Sequence, residues 1–247
     1  MPIDQPPTLP IPDALSAAHC EQVTASIRRQ IESNGGSISF AEFMQHALYA
    51  PGLGYYAAGS TKFGEAGDFV TAPEVSSVFG YVVARQCAEV LRELEQGAIL
   101  EFGAGSGKLA ADVLTRLDSL DALPVAYRIL EVSADLRERQ EEFLTQTIPD
   151  LVHLVSWVDT PPSGHRGVIL ANEVLDALPA ERFVRRASGI MQQRVCVAAD
   201  GFEFAEAPAP APLERAVSDL ETDLGALLPG GYTSEICLAV PHWIAQL

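Results

Sequence analysis

The chain predicts an α/β fold built on a parallel sheet, and three observations carry that prediction. Between residues 98 and 171, short apolar runs alternate with amphipathic stretches, the pattern of βαβ units. The first run, Ile99-Leu-Glu-Phe102, passes directly into Gly103-Ala-Gly-Ser-Gly107, a strand-to-helix turn with glycine at alternate positions. One βα unit later, Glu131 closes the second strand, where a carboxylate can accept the two hydroxyls of a ribose.

The elements follow in order. Five prolines in residues 1–12 predict an extended arm. Asp13 caps a helix with Leu15, His19, Val23, Ile27 and Ile31 on one face, stopped by Asn34-Gly-Gly36. Ser39-Phe-Ala-Glu42 is a capping box for a short second helix that Pro51 limits. The glycine- and aromatic-rich stretch from Pro51 to Phe69 reads as an ordered loop. Thr71-Ala-Pro-Glu74 reads as a further capping box. A long helix follows it, with Val75, Val78, Phe79, Val82, Val83, Val90, Leu91 and Leu94 as its sheet-facing side and Gly97 as its end.

Strands are then predicted at 98–102, 126–131, 152–157 and 168–171, with helices at 108–120 and 134–146, the latter capped by Ser133. Residues 181–205 change character and predict a hairpin, with Asp200-Gly201 as its turn. Ala205 to Pro212 reads as a linker. Leu213, Ala216, Val217, Leu220 and Leu224 mark an amphipathic helix. Residues 234–247 read as helical, broken or kinked by Pro241.

Composition narrows the function classes. With 33 acidic against 16 basic residues, the formal charge is −17, which disfavours sequence-independent binding to phosphate backbones and suits basic peptide partners. Four scattered cysteines without a C-x-x-C pair, and five histidines without ligand spacing, give no zinc site or disulfide framework and point to a reducing compartment. No apolar run is long enough for a membrane span. The N-terminus has neither a signal peptide's basic start nor a transit peptide's arginines, the first being Arg28.

The glycine turn narrows the ligand. A dinucleotide fingerprint starting at Gly103 needs a small residue at 108, where the chain has Lys108. The pattern is E-x-G-x-G-x-G, closer to an S-adenosylmethionine (SAM) site than to a nicotinamide site. Glu101 would then favour the cationic amino-acid end of SAM, Gly103, Ala104, Gly105 and Gly107 would line it, and Asp159 could reach an adenine amine. Beyond the fourth strand, Asn172, Glu173 and Asp176 stand where substrates of open α/β sheets bind. A carboxylate there can hold a guanidinium bidentately, although Asn172 and Asp176 could equally cap a helix.

Five stretches, in order, resemble the MidA-like SAM-dependent methyltransferases: Leu48-Tyr-Ala-Pro-Gly-Leu-Gly-Tyr-Tyr56, Gly67-Asp-Phe-Val-Thr-Ala-Pro-Glu-Val-Ser76 with Phe79-Gly80, Glu101-Phe-Gly-Ala-Gly-Ser-Gly107, Tyr127-Arg-Ile-Leu-Glu-Val-Ser133 and Asn172-Glu-Val-Leu-Asp-Ala-Leu-Pro179. The resemblance implies a Rossmann-like class I methyltransferase sheet with an N-terminal helical extension and a β-hairpin insertion near 181–205. It implies SAM as donor, with Gly67, Asp68 and Thr71 beside the cofactor and Glu74 in the same segment. Residues 13–97 would cover the cofactor and 98–247 would form the methyltransferase domain. By analogy with protein arginine methyltransferases, Glu173, helped by Asp176 and Asn172, would be catalytic. The partner would be a protein substrate such as a respiratory complex I subunit, with no nucleic acid involved. The compartment would be the bacterial cytoplasm, or the mitochondrial matrix in a eukaryote. Only four parallel strands can be counted where such a sheet has seven, which predicts a truncated family member. A SAM-binding assembly factor and a nicotinamide oxidoreductase are the competing classes.

Overall fold

In the computed structural model, residues 12–56, 71–94 and 96–247 are described. They divide into two compact units, one formed by residues 1–58 and 179–238, the other by residues 59–178 and 239–247. This partition cuts the chain differently from a 13–97/98–247 division, because the segment before Gly59 belongs with the segment after Leu178. Among the described residues no helix is long and apolar enough to cross a membrane.

The unit with the glycine turn contains helices α3 (Ala72–Val75) and α4 (Ser77–Arg92), strand β2 (Ala98–Phe102), α5 (Lys108–Asp118), β3 (Tyr127–Leu130), α6 (Ala134–Thr147), β4 (Val155–Val158), β5 (Gly167–Leu170) and α8 (Val240–Ala245). Among the described residues its four strands are all parallel, in the order β4-β3-β2-β5. β2 lies inside this sheet and is buried along its whole length, as expected of a parallel strand covered on both faces. The core gathers Ile99, Tyr127 and Ile129 from the sheet, Leu109, Val113, Leu114 and Leu117 from α5, and Leu144 from α6.

The other unit contains α1 (Ala14–Ser33), β1 (Ser37–Ser39), α2 (Phe40–Tyr49), β6 (Glu181–Arg186), β7 (Gly189–Ala198), β8 (Gly201–Pro208), α7 (Ala211–Leu224) and β9 (Thr233–Ile236). Asp13 caps α1 by accepting the Ser16 amide at 2.8 Å, and Ser39 with Glu42 forms the reciprocal capping box of α2. The hairpin strands belong to a five-stranded antiparallel sheet: β7 pairs β8 along one side, and β6 and then β1 along the other, with β9 outside β6. Ile27, Ile31, Ile38 and Val195 form one core here; Phe183, Ile190, Leu213 and Val217 form a second.

Several expectations are corrected. Thr71 stands at the N-cap of α3 but makes no side-chain cap bond, and the Glu74 carboxylate accepts the Ser106 hydroxyl instead. The long helix after it is broken at Ser76, whose extended backbone ends α3 and whose hydroxyl caps α4. α4 buries Gly80, Ala84, Cys87, Ala88 and Leu91, while Val75, Val78, Val82 and Val90 are exposed. Small residues win that face because α4 runs close along α5: a Cβ on Gly80 would stand 2.5 Å from the Asp112 Cβ. The expected linker at 205–212 is strand as far as Pro208, held by pairing with β7 at an edge where proline is tolerated. The expected terminal helix is β9 followed by α8, with Pro241 in the first turn of α8.

Candidate functional site

Because β2, β3, β4 and β5 are parallel, the segments that follow them leave the sheet at one edge. Since β2 lies between β3 and β5, the glycine turn emerges between Glu131 on one side and Asn172 to Asp176 on the other. That is the crevice in which open α/β sheets bind ligands.

Gly103, Gly105 and Gly107 have φ of 60°, 57° and 85°, so all three occupy the left-handed region that side-chain-bearing residues avoid. Backbone conformation is the main reason for glycine at 103 and 107. A Cβ on Gly103 would meet only Val174 Cγ2, at 3.7 Å, and one on Gly107 would just touch Phe143, at 3.4 Å. Ser106 accepts the Lys108 amide at 3.2 Å and donates its own hydroxyl to Glu74, joining α3 to the turn. Lys108, which breaks the dinucleotide pattern, reaches Ser77 at 2.9 Å and Asp112 at 2.6 Å, so it serves the α4–α5 contact.

Glu101 is 2 % exposed and accepts the Tyr127 hydroxyl at 2.7 Å. Burial pushes its carboxyl up to about 7, opposed by that hydrogen bond and helped by the charge of Glu131. Glu131 is buried, and its two oxygens accept from the Ser133 amide at 3.0 Å and from the Gln140 amide at 3.2 Å. A carboxylate has about four acceptor positions, so this one retains capacity for hydroxyl donors. Arg137 donates to the Glu131 carbonyl at 2.6 Å, the Val158 carbonyl at 3.2 Å and the Asp159 carboxylate at 2.7 Å, so Asp159 is already engaged by a guanidinium.

After β5, Glu173 is exposed and holds φ of 51°. A non-glycine residue in this region is uncommon, and such strain clusters at functional sites. A short 3-10 turn, Leu175–Ala177, carries the exposed Asp176; Asn172 is half-buried. Thr71 is half-buried at the start of α3. Gly67 and Asp68 lie outside the described residues. Sequence reasoning missed Gln140, Trp157, Arg137 and the Glu74–Ser106 link. A signal for Gln140 was present: it falls at four-residue spacing between Leu136 and Leu144, a polar residue in an apolar stripe.

A glycine turn in the left-handed region, a buried carboxylate just after the neighbouring strand and an acidic turn on the other side give an α/β fold a set of groups that fits SAM. Residues 82–247 match the Methyltransf_28 family of S-adenosyl-L-methionine-dependent methyltransferases. A Burkholderia thailandensis protein solved bound to S-adenosyl-homocysteine is 38% identical, with a TM-score of 0.87 over 97% of this chain and 62% of that one. The mitochondrial protein arginine methyltransferase NDUFAF7 of Mus musculus is 31% identical over 80% of this chain and 52% of its own length. The Danio rerio protein of that name is 33% identical over 62% of this chain and 42% of its own. The chain thus spans about half the length of the curated relatives it matches. It belongs to the MidA-like family of SAM-dependent methyltransferases.

Proposed function

We propose that this protein transfers the methyl group of SAM to a protein side chain, an arginine guanidinium. Glu173 carries the reading: an exposed carboxylate with φ of 51°, next to Val174, whose side chain faces Gly103. The mouse relative's arginine methyltransferase name supports the same acceptor. A respiratory complex I subunit is the proposed partner, and the bacterial cytoplasm or mitochondrial matrix the proposed compartment.

Gly103, Ala104, Gly105 and Gly107 admit the cofactor to the backbone, Glu131 receives the ribose hydroxyls, and Glu101 lies beneath the cationic end. Thr71, at the start of α3, borders the same site. Bound SAM supplies a methyl carbon activated by its sulfonium. Glu173, with Asp176 and Asn172 beside it, grips the guanidinium and fixes its plane, so that one nitrogen faces that carbon. Alignment matters more than base strength: the carbon–nitrogen bond would form as the sulfur–carbon bond breaks, the electron pair returning to sulfur and S-adenosylhomocysteine leaving, and only then would the methylated nitrogen lose one proton to water.

The test is methyl transfer to arginine-containing peptides, read by mass spectrometry, in the wild type and in Glu173→Gln. The variant should bind S-adenosylhomocysteine as the wild type does and transfer about tenfold more slowly or worse, a barrier increase of about 1.4 kcal/mol per tenfold. Cofactor binding without transfer by the wild type, or full transfer by Glu173→Gln, overturns the proposal.

A further inference from the structure

Gln140 is fully buried at the centre of α6, in line with the buried Leu136 and Leu144. An apolar residue would fill that stripe without the cost of burying an amide. Its amide instead joins three separate strand ends. Nε2 donates to the Gly105 carbonyl at 3.0 Å and to Glu131 Oε2 at 3.2 Å, while Oε1 accepts the Trp157 indole N–H at 2.8 Å. Both amide protons are thus spent, one on the glycine turn and one on the carboxylate after β3.

We infer that Gln140 is the positioning residue for the cofactor ribose, holding the Glu131 carboxylate in a fixed orientation against the Gly105 carbonyl. The inference rests on Glu131 receiving the ribose hydroxyls. Among the described residues the other donor to the Glu131 carboxylate, the Ser133 amide, lies only two residues along the chain and carries no information about the glycine turn. Gln140 supplies that information, because one nitrogen touches both segments. With both carboxylate oxygens held, the free acceptor positions of Glu131 are aimed before the ligand arrives, and binding does not have to order them.

The experiment measures affinity for S-adenosylhomocysteine and for its 2′-deoxyribosyl analogue in the wild type, Glu131→Ala, Gln140→Met, Gln140→Glu and the double variant Gln140→Met/Glu131→Ala. The wild type should favour the ribose form. Gln140→Met should bind S-adenosylhomocysteine about tenfold more weakly, the size expected for a hydrogen bond to a charged group, and should lose most of the preference for ribose. Gln140→Glu keeps the shape and the acceptor for Trp157 but faces Glu131 with a second carboxylate; it should lose that preference at neutral pH even where Gln140→Met does not fold. The double variant should be no weaker than Glu131→Ala alone, since the two residues act as a unit. Trp157→Phe, which spares both donations, should keep the preference. Glu131→Ala losing the ribose preference while the Gln140 variants keep it overturns the inference and leaves the ribose reading standing. Unchanged affinities in Glu131→Ala overturn the ribose reading itself.

Discussion

Replacing Glu101 by Gln tests whether the acid under the glycine turn is held neutral by the fold. The side chain is 2 % exposed, its hydrogen-bond partner Tyr127 is fully buried, and its folded carboxyl stands at about 7 against an ordinary 4.5. Below pH 4.5 the carboxyl is protonated in both folded and unfolded chains and the group is neutral to stability. Between pH 4.5 and about 7 the unfolded chain releases the proton while the folded one keeps it, so stability falls as pH rises. At about 1.4 kcal/mol per tenfold change in proton affinity, the loss accumulated above pH 7 is about 3 kcal/mol. Glutamine mimics the neutral acid and can still accept the Tyr127 hydroxyl, so the E101Q profile should lack this slope. The assay is denaturant unfolding between pH 4 and 8, followed by tryptophan fluorescence; Trp157 and Trp243, the chain's two tryptophans, both belong to the unit that contains Glu101. The two proteins should match near pH 4.5, and E101Q should be the more stable by about 3 kcal/mol at pH 8. Parallel pH profiles, or an E101Q midpoint below wild type at pH 8, would refute the reasoning.

Two further substitutions probe the turn itself. Gly105→Ala forces a Cβ into φ of 57° and should cost about 1–2 kcal/mol of stability while lowering S-adenosylhomocysteine affinity; titration calorimetry and denaturant midpoints read both, and an unaltered protein would show that the turn does not need glycine there. Ser106→Ala removes the hydroxyl that Glu74 accepts and should loosen α3 by about 1 kcal/mol, seen as faster exchange of the Glu74 and Val75 amides that the Thr71 carbonyl accepts; unchanged exchange would show that α3 is held by its other contacts.

Local signals in the sequence were read well where they decided the outcome, and poorly where distant partners did. β2 begins and ends at the predicted residues because an apolar run bounded by glycine at both ends has one solution. The caps at Asp13 and Ser39 hold because each satisfies its own helix's first amides. Thr71-Ala-Pro-Glu74 matches the same capping pattern and behaves otherwise, because Glu74 has a second suitor in Ser106, thirty-two residues away. β1 was invisible for the same reason. Ser37–Ser39 carries three residues of no distinctive pattern and becomes a strand by pairing with Arg194 to Cys196. The valines of α4 stay exposed although they are its most hydrophobic stripe, because the close approach of α5 selects for size and favours Gly80, Ala84 and Ala88.

At the site the division falls between residues at a fixed offset from a strand and residues that reach the site from another element. Glycine spacing and strand-end acids are legible because the function proposed for them constrains residue type at fixed offsets from a strand. Gln140 has no such offset; its identity follows from three groups that converge only after β2, β3 and β4 have paired. Its buried amide is costly unless all three partners arrive, so the glycine turn, the carboxylate after β3 and the indole on β4 must be set by one packing event. On the role inferred for Gln140, ligand preference and the stability of this unit share a residue. Perturbing α6 from either side should move both, even though nothing on α6 lies on the strand-end segments that sequence spacing singled out.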